Sequence, residues 1–268
     1  MKTILGLLKA CHFGPTMTVT LTSLLLATNL WWEGPALVIA FGVFLGQLLV
    51  GYTNDLYDYA DDLKHNRKSK PLVEGVITTQ QLVKAIKIIT PLAVLVNLFG
   101  PLGIYGGLIY LFGVALGISY NFYFKSTPFS PLPYALAFAA LAASVVVATN
   151  RTPPIWLLTA AAALGVAAHF ANVLKDLDQD LTSGIKGLPQ RLGKKKTRVI
   201  CGALLIALTL TLNSANPNQV LLIVGLIGAA LTTLSSSKWI FKVLMITAIV
   251  DVILLLEAAG TQIGSIAV

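Results

Sequence analysis

Charge is scarce in this chain: Asp, Glu, Lys and Arg make up 11% of its 268 residues, against about 25% in soluble domains. Together with 56% hydrophobic residues and a mean hydropathy of +0.80, that scarcity excludes an ordinary soluble domain and a disordered chain. Cysteine is nearly absent. Cys11 and Cys201 show no metal-ligand spacing, so neither a disulfide framework nor a zinc site is supported, and both are expected to be packing residues. The opening MKTILGLLKA is too short and lacks a processing site for a signal peptide. It reads instead as an amphipathic helix on the inner membrane surface.

What the chain has in abundance is long apolar runs. Stretches of roughly 17 to 25 apolar residues each cross about 30 Å of hydrocarbon as helices, which satisfy their own backbone hydrogen bonds there. Nine are expected, near 15–33, 35–57, 79–100, 103–122, 131–149, 155–175, 197–213, 218–236 and 239–259. The fold class is therefore an all-α polytopic membrane protein, a single domain over 1–268. Lys and Arg in short loops stay on the cytoplasmic side. With the N-terminus inside, 18 of the 19 basic residues, Lys238 among them, fall on the inner side and only Arg151 outside, which puts the C-terminus outside. The net charge of +8 thus follows from topology, and nucleic acid is not an expected partner. Trp31 and Trp32 read as an outer interfacial anchor.

The few acids are unevenly placed. Of eleven, Asp55, Asp58, Asp61 and Asp62 end the second span and Asp176, Asp178 and Asp180 end the sixth, and both clusters emerge on the inner face. The first reads Asn54-x-x-x-Asp58-x-x-x-Asp62 and the second Asn172-x-x-x-Asp176-x-x-x-Asp180. Steps of four drift by only about 40°, so each triad lines one helix face, while Asp178 points about 160° away from Asp180. The match predicts a duplication with a period of about 118 residues and two parallel halves, about 1–125 and 126–268. Two acidic faces repel unless a cation lies between them, and oxygen ligands from carboxylate and Asn suit Mg²⁺, which keeps positions open for phosphate oxygens. Basic residues that would neutralise the remaining phosphate charge are Arg67, Lys70, Lys186, Arg191 and Lys125, the last after the polar break YNFYFKST.

NDLYDYADD resembles the N-D-x-x-D-x-x-x-D signature, and KDLDQD the D-x-x-x-D signature, of UbiA-type intramembrane prenyltransferases. The resemblance covers nearly the whole chain. It implies nine helices around a cytoplasmic-facing cavity in a prokaryotic cell membrane, and Mg²⁺-dependent transfer of a prenyl group from a prenyl diphosphate to a lipophilic or aromatic acceptor. It further implies that Asn54, Asp58, Asp62, Asp176 and Asp180 hold the metal, with the four aspartates catalytic. Asp55 takes a less direct part, and Asn172 joins the diphosphate site. The chain departs from the family pattern in NRKSKPLVEG, where many relatives have an uninterrupted Asn-Arg-Pro-Leu, and in ACHFGPT, where many have Arg-Pro.

In such a mechanism an apolar cavity excludes water from an allylic cation, and aromatic faces stabilise it. Tyr52, Tyr57, Tyr120 and Tyr123 are candidates for that wall and equally for an interfacial belt. His169, one turn before Asn172, either orients an acceptor or is a hydrogen-bonded core histidine. Asp251, inside the ninth span, is expected to pair with a neighbouring helix. Three rival classes fit less well. A secondary transporter places its acids near the midplane at broken helices, and a membrane phosphotransferase motif of the D-G-x-x-A-R type is absent. Solvated helix caps in a structural protein do not require two matching triads.

Overall fold

The computed structural model describes residues 2–31, 33–234 and 239–262. These residues form helices and turns, with no strand among them. Trp32, Lys238 and the C-terminal residues 263–268 lie outside the described residues, so the anchor, the charge and the terminus expected there are not placed. A short α1 (Lys2–Ala10) is followed by α2 (Phe13–Leu30), α3 (Glu33–Lys64), α4 (Thr79–Phe99) and α5 (Gly103–Ser119). After a π-helical turn (Tyr120–Phe124) come α6 (Pro131–Val147), α7 (Ile155–Thr182), α8 (Leu188–Ala215), α9 (Gln219–Leu234) and α10 (Ile240–Gln262). Each predicted stretch is occupied by one helix. Five of them, α3, α4, α5 with its π turn, α7 and α8, are long and apolar enough to cross a membrane, while α6 and α9 are apolar but shorter. Consecutive helices pack on one another, and α10 returns against α2 and α7.

Several polar ties inside this apolar bundle run between helices. Asn97 on α4 donates to the Gly42 carbonyl of α3 at 3.2 Å, and the Tyr110 hydroxyl of α5 donates to the Val43 carbonyl at 2.9 Å. Asp251 is 1% exposed on α10 and accepts from the Thr209 hydroxyl of α8 at 2.7 Å, the interhelical pairing expected of it. Cys11 and Cys201 are both free and buried.

The sequence underestimates α3 and α7 at their acidic ends. The apolar runs stop near 57 and 175, yet the helices continue to Lys64 and Thr182. At 1.5 Å per residue α3 is about 48 Å long and α7 about 42 Å, so each projects well beyond the roughly 30 Å of hydrocarbon. Each triad runs without a break from the end of its apolar run (Asn54, Asn172) into the extension, which keeps the four-residue spacing on one face. Both helices also end in the same way, with a left-handed residue, Asn66 (φ 50°) after α3 and Gly184 (φ 78°) after α7. Arg67 N–H returns to the Asp62 carbonyl at 3.0 Å, and Ile185 N–H to the Asp180 carbonyl at 2.9 Å. The shorter bonds, Asn66 to Leu63 and Gly184 to Leu181, complete two Schellman caps at positions related by the same 118-residue offset as the triads.

Gly184→Val places a β-branched residue at positive φ. We expect it to cost about 1–2 kcal/mol, read as a lower thermal unfolding midpoint of the detergent-purified protein. Asn66→Gly relieves the same constraint and should not lower that midpoint.

Candidate functional site

Four chain segments meet over the acidic ends of α3 and α7: the joint at Cys11–His12, the loop after α3, the residues around the π turn, and the loop between α7 and α8. The joint reaches α3 because Gly51 has no side chain. A Cβ there would stand 2.7 Å from the Cys11 backbone. His12, held at φ 53°, then lies with Nε2 3.1 Å from Asn54 Oδ1 and 3.2 Å from Asp55 Oδ1. Lys70 Nζ stands 3.4 Å from the same nitrogen, so this ring edge meets two oxygen acceptors and one cation.

Each acid of the first cluster meets a cation. Lys70 Nζ is 2.6 Å from Asp55 Oδ1, and Lys125 Nζ is 2.7 Å from both oxygens of Asp58. Arg67 places Nη1 2.9 Å from Asp62 Oδ1 and Nη2 3.4 Å from Asp61 Oδ2. The same Nη2 donates to Ser183 Oγ at 3.1 Å, which ties the loop after α3 to the end of α7. Asp62 is 1% exposed, and despite its short ion pair Oδ1 accepts no well-aligned hydrogen bond. Charge-assisted pairs of this length, mostly sheltered from water, are among the stronger polar contacts in proteins.

The π turn sets the third side. Its wider turn, a geometry common at functional sites, buries Asn121 so that it accepts from Asn54 Nδ2 at 2.8 Å, and it carries Lys125 to Asp58. Across from α3, Asp180 accepts from Gln190 Nε2 at 2.9 Å and interacts electrostatically with Lys125, Arg67 and Asp176. Lys125 and Arg67, bonded to acids of α3, thus lie within electrostatic range of the end of α7, which Arg67 also reaches through Ser183. A cavity of about 430 Å³ opens beside Asp58 and Lys125, walled by Tyr57, Phe122, Tyr123 and Ser183.

Other residues singled out from sequence sit apart from this network. Asp176 is half exposed, with Lys175 at 3.8 Å. Asn172, Lys186 and Arg191 are exposed, and Arg191 Nε donates to the Lys186 carbonyl at 2.7 Å. Asp178 pairs with Lys194 at 2.6 Å on the surface, with 77% of its side chain exposed. Among the described residues no three His, Cys, Asp or Glu side chains converge on a point that could hold a metal.

At the start of the π turn, Tyr120 packs edge-on against Tyr134 and His169, with ring centres 5.1 and 5.5 Å apart. His169 is buried, with Nε2 3.1 Å from Ser130 Oγ, which also accepts the Leu188 N–H at 3.0 Å. Through Nε2 it ties α7 to the start of α6 and of α8, while Nδ1 is buried without a hydrogen-bond partner. Tyr52 is buried, whereas Tyr57 and Tyr123 are exposed, as belt residues would be.

Sequence reasoning did not select His12, Asn121, Ser183 or Gln190. Two of them lay in segments already marked as unusual, ACHFGPT and YNFYFKST, and a polar side chain within an otherwise apolar end was the available signal.

Residues 16–247 match the model of the UbiA prenyltransferase family. Among curated proteins none matches the chain by sequence. Solved structures share its fold. The structure of digeranylgeranylglyceryl phosphate synthase is 17% identical, with a TM-score of 0.71 over 98% of this chain and 100% of that one. A UbiA homologue from Archaeoglobus fulgidus bound to GPP and Mg²⁺ is 15% identical, with a TM-score of 0.69 over 94% and 99%. The apo structure of a homologue from Aeropyrum pernix K1 is 16% identical, with a TM-score of 0.69 over 98% of each chain.

Proposed function

From the fact that this chain belongs to the UbiA prenyltransferase family, and so is an integral membrane prenyltransferase, we propose that it ionises a prenyl diphosphate at the acidic ends of α3 and α7. The prenyl group passes to a lipophilic or aromatic acceptor drawn from the membrane. One observation carries this reading: Lys125 and Arg67 stand against Asp58 and Asp62 of α3, and Arg67 also bonds Ser183 at the end of α7, so the two acidic helix ends meet at these cations under the capping loops. Such a place suits a polyanion that arrives with its own metal. The Archaeoglobus fulgidus homologue, similar in fold, was solved with GPP and Mg²⁺, which supports the same ligand class here.

The donor chemistry fits Mg²⁺. Asn54, Asp58, Asp62, Asp176 and Asp180 offer hard oxygens, one of them the buried Asp62 Oδ1 that lacks an aligned donor. Ammonium and guanidinium groups already stand against Asp58 and Asp62, which marks these positions as sites for positive charge. A metal bound there would neutralise charge on the departing diphosphate. Arg67, Lys70 and Lys125 bind its remaining oxygens, with Asn172, Lys186 and Arg191 at the rim, and Asp55 keeps Lys70 in place. Tyr120, at the start of the π turn, presents its ring to the developing allylic cation, and the apolar wall around it excludes water. The acceptor attacks that cation and gives up its proton.

A transporter would need acids buried at mid-depth in broken helices. Here the acids sit on unbroken helix ends that project past the apolar runs, and the one mid-helix acid, Asp251, is tied to Thr209.

Nine crossings, with the motif loops and the N-terminus on the cytoplasmic side of a prokaryotic cell membrane and the C-terminus outside, complete the proposal. Contacts of His12 and Lys9 with the site end support it. Single cysteines at Ser69 and Ser183 should both label with an impermeant maleimide only from the cytoplasmic side; labelling from opposite faces would rule out a shared site. The activity itself is tested by incubating membranes with prenyl diphosphates of several lengths and a native lipid extract, then searching by mass spectrometry for prenylated products. No product with any chain length would refute the assignment.

A further inference from the structure

We propose that Lys125 is a tethered counter-cation: it holds Asp58 until the metal takes that carboxylate, and the released ammonium then binds the diphosphate. The inference rests on the metal and diphosphate reading above and adds an exchange of partners within it. Its first ground is geometric. Lys125 Nζ is 2.7 Å from both Asp58 oxygens, so it occupies the carboxylate in the direction from which a bidentate or bridging ligand would approach. Lysine and metal compete for one group.

The second ground is what Lys125 can do when displaced. Its backbone is fixed, since the Lys125 N–H bonds to the Tyr120 carbonyl at 2.8 Å at the end of the π turn. Its four-carbon stem is intrinsically flexible, and both Lys125 and Asp58 line the same cavity of about 430 Å³. The ammonium can therefore leave Asp58 without any backbone movement and remain within a few ångströms of it. Once released, a sheltered positive charge beside an open cavity needs an anion, and the diphosphate supplies one.

The exchange makes a prediction of size. Removing a lysine that only binds phosphate relieves a screened repulsion and raises metal affinity by about twofold at most. Removing a lysine that competes with the metal for the same carboxylate raises it by about tenfold. Coupling is reciprocal: metal alone works against Lys125, diphosphate alone works against the acids, and the two together are favoured.

The experiment compares the wild-type protein with Lys125→Gln, which keeps a donor to Asp58 without the charge, and Lys125→Met, which keeps the stem length. Each is purified in detergent and checked for a single monodisperse species. Free Mn²⁺ is followed by electron paramagnetic resonance with no diphosphate present, and binding of geranyl thiodiphosphate is then titrated at saturating Mn²⁺. We expect both variants to bind Mn²⁺ alone roughly tenfold more tightly and the thiodiphosphate roughly tenfold more weakly, the scale of one charge-assisted contact. Mn²⁺ binding that is weaker, unchanged or no more than about twofold tighter in either variant overturns the exchange and leaves Lys125 a plain phosphate ligand. Unchanged thiodiphosphate affinity also overturns it and leaves the pair with Asp58 structural. If the wild-type protein binds no thiodiphosphate at any metal concentration, the functional reading falls as well.

Discussion

Alanine at Asp62 or Asp180 should reduce prenyl transfer on the order of 100-fold or more, while Asp178→Ala should leave the rate within about twofold. The three positions differ in what their carboxylates face. Asp62 is buried against Arg67, and Asp180 lies within electrostatic range of Lys125 and Arg67 while accepting from Gln190. Asp178, only two residues from Asp180, points to the surface and meets Lys194. An exposed pair of that kind contributes about 0–1 kcal/mol, so its loss is invisible to the chemistry. Asp62→Ala leaves Arg67 without its nearest carboxylate, and part of its effect will be on folding. Asp62→Asn, which keeps the shape and removes the charge, separates the two: similar protein yield with a similar loss of rate assigns the effect to charge at the site. The measurement is product formation at saturating prenyl diphosphate, normalised to monodisperse protein. An Asp178→Ala enzyme as damaged as Asp180→Ala, at normal yield, would show that the helix face has been misassigned and with it the choice of metal ligands.

That contrast was legible in the sequence because it depends only on local geometry. The spacing of Asn54, Asp58 and Asp62, and its recurrence at Asn172, Asp176 and Asp180, requires nothing beyond the pitch of a helix, and the helices do continue through both motifs. Their true lengths were not legible, since hydropathy measures the stretch that lies in lipid and not the polar turns that extend from it. The ends were specified instead by cap chemistry at Asn66 and Gly184, a signal read from φ and not from apolarity. The basic residues divide on the same principle. Arg67 and Lys70 follow α3 within a few residues and fold back on it, and Lys125 is delivered by the π turn. Lys186 and Arg191 are equally near in sequence to the second motif, yet they face outward. His12 reaches Asn54 across 42 positions, and only the close approach at Gly51 brings it there. No periodicity along the chain reports a contact of that kind.

The second large effect concerns the metal. Geranyl thiodiphosphate, which resists ionisation, is expected to bind the wild-type protein at least about 100-fold more weakly in excess chelator than in millimolar Mg²⁺. The reason lies in the charge balance at the helix ends. Asp55, Asp58, Asp61 and Asp62 fall within eight residues of α3, with Asp180 in electrostatic range of Lys125 and Arg67, and Lys70, Lys125 and Arg67 are already committed to the four on α3. A diphosphate arriving alone would have to draw those cations from the acids and leave the carboxylates facing one another, at a Coulombic cost of several kcal/mol for each sheltered pair of like charges. A divalent metal removes the conflict, because it satisfies carboxylate and phosphate oxygens together. Mn²⁺, which also takes octahedral oxygen ligands, should substitute for Mg²⁺, and the larger Ca²⁺ should do so poorly. High salt should weaken the residual metal-free binding further, since exposed Lys186 and Arg191 are screened where the sheltered cations are not. Binding that survives chelation undiminished would mean that the lysines and Arg67 hold the diphosphate unaided. The acids would then serve another purpose, and a substrate-dependent ion flux in liposomes would identify it as transport.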